Sequence, residues 1–117
     1  MVLAITNQKG GVGKTTTVLN IGVYLAVNGK KTLLVDIDPQ ANLTSGIGTQ
    51  QSNPGKLKTV YDLLINKSDV KNTIYKTKID NLEIMPSGIE LAGAEVELVN
   101  AMSRENILKK ALDEIEY

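Results

Sequence analysis

The 117-residue sequence has no cysteine, histidine, tryptophan or phenylalanine, and only four tyrosines and three prolines. Without cysteine there are no disulfides, no thiolate metal ligands and no thiol nucleophile. Without histidine, imidazole zinc sites and histidine acid–base catalysis are excluded as well. The scarcity of aromatic residues argues against a platform for stacking single-stranded bases. Charge of one sign is also missing: 13 Lys+Arg balance 13 Asp+Glu, so no net field steers the chain to nucleic acid or to a membrane surface. No apolar run approaches the roughly 20 residues of a membrane helix. The opening residues carry no basic segment ahead of the apolar run and no small-residue cleavage site, so they do not read as a secretion signal. A reduced, cytoplasmic setting is the resulting expectation.

What is present is the make-up of an ordinary globular protein, with 42% hydrophobic and 22% charged residues. A chain of this length can bury one compact core. Val2-Leu3-Ala4-Ile5 is a continuous apolar run, which predicts a parallel strand covered on both faces. A glycine-rich turn follows from Gln8 to Gly13. A helical pattern begins near Thr15, with Val18, Ile21, Gly22 and Leu25 on one stripe, Leu19 and Ala26 beside it, and Gly29 as a stop signal. Thr32–Val35 reads as a second buried strand ending in Asp36, completing a right-handed βαβ unit. Residues 39–58 read as a long functional loop. Short helical stretches are expected at Thr59–Ile65 and Asp69–Tyr75, and a third strand at Asn81–Met85, closed by Pro86. Ser87 and Glu90 have capping-box spacing, predicting a helix to about Val99. Ser103 is the expected cap of a last helix, on which Ile107, Leu108, Ala111, Leu112 and Ile115 form a core-facing stripe.

The chemistry concentrates in Lys9-Gly10-Gly11-Val12-Gly13-Lys14-Thr15-Thr16-Thr17, set between a predicted strand and a predicted helix. Glycines allow backbone N–H groups to converge on an anion. A helix start adds unpaired N–H groups and its positive dipole end at the same point. Lys14 supplies a mobile ammonium for outer phosphates, and the Thr15 hydroxyl is a hard oxygen suited to Mg²⁺. Asp36 and Asp38 follow the second strand, and ligands of open α/β sheets bind beyond the carboxyl ends of the strands. Two carboxylates there could share the work of holding Mg²⁺ and aligning a water. Asp38-Pro39 also has the composition of a simple turn.

The phosphate loop departs from the usual G-x-x-x-x-G-K-[ST] pattern, with Gln8 in place of the first glycine and Lys9 at the loop's start. K-G-G-x-G-K-T-T is the deviant Walker A motif, and it resembles the ParA/MinD/nitrogenase-iron-protein superfamily of P-loop ATPases. Val35-Asp36-Ile37-Asp38-Pro39-Gln40-Ala41-Asn42 narrows the resemblance to the ParA/Soj partition ATPases. Asn42–Gly48, Met85–Glu95 and Ser103-Arg104-Glu105 continue that family's text, and residues 50–80 are the least distinctive. Ala41 stands where many members have glycine, a minor change if φ there is negative.

The resemblance implies an α/β, P-loop NTPase fold with a mostly parallel sheet and flanking helices. Residues 1–117 would be the N-terminal part of a single such domain, with the Walker B strand, adenine contacts and DNA-binding residues beyond Tyr117. It implies ATP and Mg²⁺ as ligands. Lys9, Gly10, Gly11, Val12, Gly13, Lys14, Thr15 and Thr16 would bind the nucleotide. Thr15, and Asp36 through water, would serve the metal, while Lys9, Lys14 and Asp38 would be catalytic. Lys9 would reach across a homodimer that sandwiches ATP, and Asp38 would position the attacking water. The implied function is an ATP-driven switch of DNA segregation that binds DNA non-specifically, is stimulated by a ParB-type partner and associates with the nucleoid. No membrane partner is expected, and this stretch alone is expected to hydrolyse ATP poorly. The alternative is a MinD-like membrane-associated positioning ATPase, marked by a basic amphipathic helix beyond Tyr117. A nitrogenase-iron-protein-like role would need cluster-ligating cysteine, which this stretch lacks.

Overall fold

The computed structural model describes residues 1–6, 13–50, 57–94 and 104–117. Helix α1 (Lys14–Val27) starts behind Gly13, whose φ of 83° is left-handed. It closes with Gly29 at φ 79°. There Gly29 N–H bonds to Ala26 O at 2.9 Å and Lys30 N–H to Leu25 O at 3.0 Å. That pair of bonds is the Schellman ending, which glycine permits at this position. Strand β1 (Thr32–Val35) follows at once. A short helix α2 (Asn42–Ile47) comes next, then α3 (Val60–Leu64), a 3-10 turn at Val70–Thr73 and strand β2 (Tyr75–Lys76). Strand β3 (Leu82–Met85), a 3-10 turn at Ile89–Gly93 and helix α4 (Arg104–Asp113) complete the described elements.

The described strands form one sheet in the order β1-β3-β2. β1 and β3 run parallel, with Thr32 opposite Leu82 and Val35 opposite Met85. β2 pairs antiparallel with β3 through Tyr75–Ile84 and Lys76–Glu83. Alternation along the strands divides the core into two layers. Leu34, Leu82 and Ile84 join Ala26 of α1 and Leu43 of α2 on one face. Leu33, Val35 and Met85 join Val60, Leu63, Val70, Leu91 and Ala94 on the other, with Leu108, Ala111, Leu112 and Ile115 of the α4 region packed against them. Helices therefore cover both faces, which explains why β1 reads as continuously apolar. The tail beyond α4 returns to the sheet: Tyr117 donates its hydroxyl to Glu83, and Lys31 Nζ lies 4.7 Å from the Tyr117 ring centroid.

Several expectations are corrected. The run Val2–Ile5 forms no strand, and Val2 and Leu3 are 79% and 63% exposed. Apolar composition makes a segment suitable for pairing but does not supply a partner, and this segment lies outside the described sheet. The βαβ unit expected at the start is therefore absent among the described residues; the parallel pair is β1–β3. The long loop 39–58 contains α2. Leu43 and Ile47, one helical turn apart, put a small apolar face into the α1 layer. The stretch expected helical to Tyr75 is a 3-10 turn capped by Asp69, and Tyr75 opens β2 instead. Ser87 is not a cap: Gly88 takes that position without a side-chain bond. The continuation to Val99 and the cap at Ser103 lie outside the described residues. The helix expected at Thr59–Ile65 is present as α3, Val60–Leu64, with Thr59 and Ile65 as its caps and Thr59 and Asp62 forming a full capping box. Among the described residues no helix is long and apolar enough to cross a membrane.

Candidate functional site

The site is built where α1 begins and β1 and β3 end. The Asn81 side-chain amide donates to Ala26 O at 3.4 Å, tying the C-terminal end of α1 to the start of β3. Because α1 packs along β1, its N-terminus then lies toward the carboxyl ends of the parallel strands.

At that N-terminus, Thr17 N–H closes the first turn on Gly13 O at 2.9 Å. Gly13 has no side chain to cap the helix, and the first turn holds no acidic residue. The positive end of the helix is therefore not neutralised from within α1. Among the described residues nothing stands where a side chain on Gly13 would go. Lys14 and Thr15 are half-buried and Thr16 is exposed. This arrangement fits a phosphate group. Among the described residues no group of three or more acidic side chains could cage a metal. A Mg²⁺ ion here fits as a partner of phosphate oxygens, water and the Thr15 hydroxyl, the manner in which this ion usually binds nucleotides.

Asp36 is only 3% exposed. Its N–H extends the strand pairing to Met85 O at 3.0 Å. A buried carboxylate must be hydrogen-bonded to be tolerated, and Asp36 is well supplied. Asp36 Oδ1 accepts Asp38 N–H at 3.0 Å, and Oδ2 accepts Thr44 N–H at 2.9 Å and the Thr44 hydroxyl at 2.6 Å. Thr44 Oγ1 in turn accepts Ser87 N–H at 3.0 Å, joining the end of β3 to the same cluster. The Ser87 hydroxyl is buried with no hydrogen-bond partner among the described residues. Asp38 is half-buried. It makes a turn: Oδ1 accepts Gln40 N–H at 3.0 Å and its carbonyl accepts Ala41 N–H at 2.9 Å. Ala41 adopts φ 52°, ψ 36°, so the condition under which alanine would be harmless there is not met.

Of the residues singled out from sequence, Gly13, Lys14, Thr15 and Thr16 sit at the start of α1, and Asp36 and Asp38 sit beyond β1. Both groups lie at one end of the sheet. Lys9, Gly10, Gly11 and Val12 lie outside the described residues. Thr44 and Ser87 were not legible as site residues. A threonine eight positions after Asp36 carries no local signal of that partnership, which exists only once α2 folds back against β1.

A family model described as an AAA domain matches residues 1–117. The sporulation initiation inhibitor protein Soj of Bacillus subtilis is 53% identical over 114 residues, covering 97% of this chain and 44% of that protein. The chromosome-partitioning ATPase Soj of Treponema pallidum is 50% identical over 113 residues, covering 97% of this chain and 43% of the relative. A crystal structure named as the cobyrinic acid a,c-diamide synthase of Mycobacterium smegmatis, with bound ADP and magnesium, superposes with a TM-score of 0.84 at 41% identity. That match covers 93% of this chain and 43% of the solved one. The chain thus spans less than half the length of the proteins it matches, and across that span it shares their α/β P-loop fold: it belongs to the ParA/Soj family of P-loop ATPases.

Proposed function

We propose that residues 1–117 are the N-terminal part of a single ATPase domain whose complete form is an ATP-driven switch of DNA segregation. The observation that carries this reading is the start of α1 behind Gly13, a cap position without a side chain and a first turn without an acidic residue, at the same end of the sheet as Asp36 and Asp38. The name of the Mycobacterium smegmatis neighbour points to a different activity, but the higher identity to the Soj proteins favours segregation.

In this reading Gly10, Gly11, Val12, Gly13, Thr16 and the ammonium of Lys14 hold the triphosphate, with Thr15 offering its hydroxyl to Mg²⁺. Asp36, with both oxygens engaged by the chain, reaches the metal's hydration shell only through water. Asp38 aligns the attacking water. Lys9 crosses to the nucleotide of a second copy, where a cation stabilises charge on the transferred phosphoryl group. The ATP-bound dimer binds DNA without sequence preference, and a ParB-type partner promotes hydrolysis and release, so nucleotide state selects between two assemblies. The 117-residue stretch alone turns over ATP poorly.

Titration calorimetry on the full-length protein tests the core of this proposal. MgATP binding is expected for wild type and for Asp38→Ala, and is lost in Lys14→Ala. Asp38→Ala stays dimeric with ATP by sedimentation but does not hydrolyse it. Absence of binding heat in folded wild type overturns the reading, and normal hydrolysis by Asp38→Ala removes the role given to that carboxylate.

A further inference from the structure

The Thr44 hydroxyl occupies a position that the proposed chemistry has not used. It donates to Asp36 Oδ2 at 2.6 Å and accepts Ser87 N–H at 3.0 Å, so its rotor is fixed from both sides. Asp36, held by this contact, uses its other oxygen to hold Asp38 N–H at 3.0 Å. The relay therefore runs from the end of β3, through Thr44 and the buried Asp36 carboxylate, to the backbone of Asp38. Between the two ends of this clamp lies Ala41 with φ 52°. A non-glycine residue persists in that region only where its surroundings over-determine the conformation. The bonds on either side of Ala41 supply that determination. Without the Thr44 hydroxyl, the buried Asp36 carboxylate loses its shortest bond. The segment carrying Asp38 is then held less firmly, with only the Asp38 and Thr44 N–H bonds left on the carboxylate.

We propose that Thr44 is a positioning residue for phosphoryl transfer, acting through Asp36 to fix where the Asp38 carboxylate stands. The inference rests on the ATPase reading above and adds to it a residue outside the nucleotide-binding set. Its loss is expected to lower turnover far more than affinity, because the start of α1 carries most of the nucleotide binding and Asp36 meets the metal only through water.

The test is a set of variants of the full-length protein measured for kcat, KM, calorimetric MgATP affinity and thermal midpoint. Thr44→Val removes both hydroxyl functions at nearly constant volume. Its kcat is expected to fall roughly tenfold to a hundredfold, the scale of one lost hydrogen bond to a charged group, while MgATP affinity stays within about twofold of wild type. Thr44→Ser keeps the hydroxyl and is expected to retain most of kcat. If Thr44→Val does not fold, Thr44→Ala replaces it with the same expectation. An unchanged kcat in the hydroxyl-free variant overturns the inference. So does a fall in affinity as large as the fall in kcat, or a serine variant as slow as the valine one. Wild-type protein that binds no MgATP would instead overturn the ATPase reading, so the two failures are distinguishable.

Discussion

Gly22 and Leu34 bring α1 and β1 into contact so close that a Cβ on Gly22 would lie 2.5 Å from Leu34 Cδ2. Leu34 cannot easily give way, because it is 4% exposed and shares its layer with Leu82 and Ile84. Gly22→Val should therefore destabilise the protein by about 1–3 kcal/mol, the range for overpacking a tight core. Chemical denaturation reads this directly, and an unchanged midpoint would show that the helix–sheet contact is looser than described.

Ala41 offers the opposite case. At φ 52° its Cβ crowds the backbone, a cost of roughly 1–2 kcal/mol that glycine does not incur. Ala41→Gly should raise stability by about 1 kcal/mol after glycine's greater loss of chain entropy is subtracted. A lower melting temperature for the glycine variant would contradict the assignment of this backbone conformation.

Helix α3 depends on its cap. Thr59 Oγ1 accepts Tyr61 N–H at 3.2 Å, and Asp62 Oδ2 accepts Thr59 N–H at 2.8 Å. The helix is short, yet it places Val60 and Leu63 in the core. Thr59→Ala is expected to cost about 0.5–2 kcal/mol, as loss of a threonine cap generally does. Hydrogen exchange should show the loss first at the amides of Tyr61 and Leu63.

Burial raises the Tyr117 hydroxyl well above the usual tyrosine range, helped by its bond to Glu83 and by the Glu83 charge. The native state thus holds the phenolic proton more tightly than the unfolded chain, whose tyrosines ionise near 10. This contribution is complete below about pH 10 and is lost as pH rises further toward the native value. Tyr117→Phe should flatten the fall of stability above that pH. Ultraviolet titration of wild type should show a late-ionising phenol that is missing from Tyr117→Phe, and a late limb that is the same in both proteins would refute the contact.

DNA binding by the full-length protein, if phosphate contacts supply it, must weaken linearly in a plot of log affinity against log salt. A flat response would remove non-specific DNA from the proposed partners.

Much of this was legible from local pattern. Gly29 ends α1 because only a left-handed residue fits the Schellman ending, and glycine announces that need in sequence. The helical stretch at Thr59–Ile65 was legible as well, although its capping box, with Asp62 in place of the usual Glu or Gln, emerged only from the structure. Ser87 with Glu90 has the same spacing and forms no box, because Ser87 N–H is drawn to Thr44 Oγ1, 43 residues away. The same long-range partner made Thr44 itself invisible. Val2 and Leu3 show the limit of apolarity as a strand signal: pairing depends on a neighbour that composition does not name. Legibility thus ended where the deciding partner was distant in the chain.

The parallel alignment of Thr32 with Leu82 also sets an order of assembly. The turn from α1 into β1 spans only residues 28–31, so these neighbours can find each other early. The central ladder must wait until the whole intervening stretch has been gathered, a delay that loop-closure entropy imposes before any contact repays it. Asp36 and Ser87 are brought together by that same step, so the carboxylate cluster is complete only once β1 and β3 have paired.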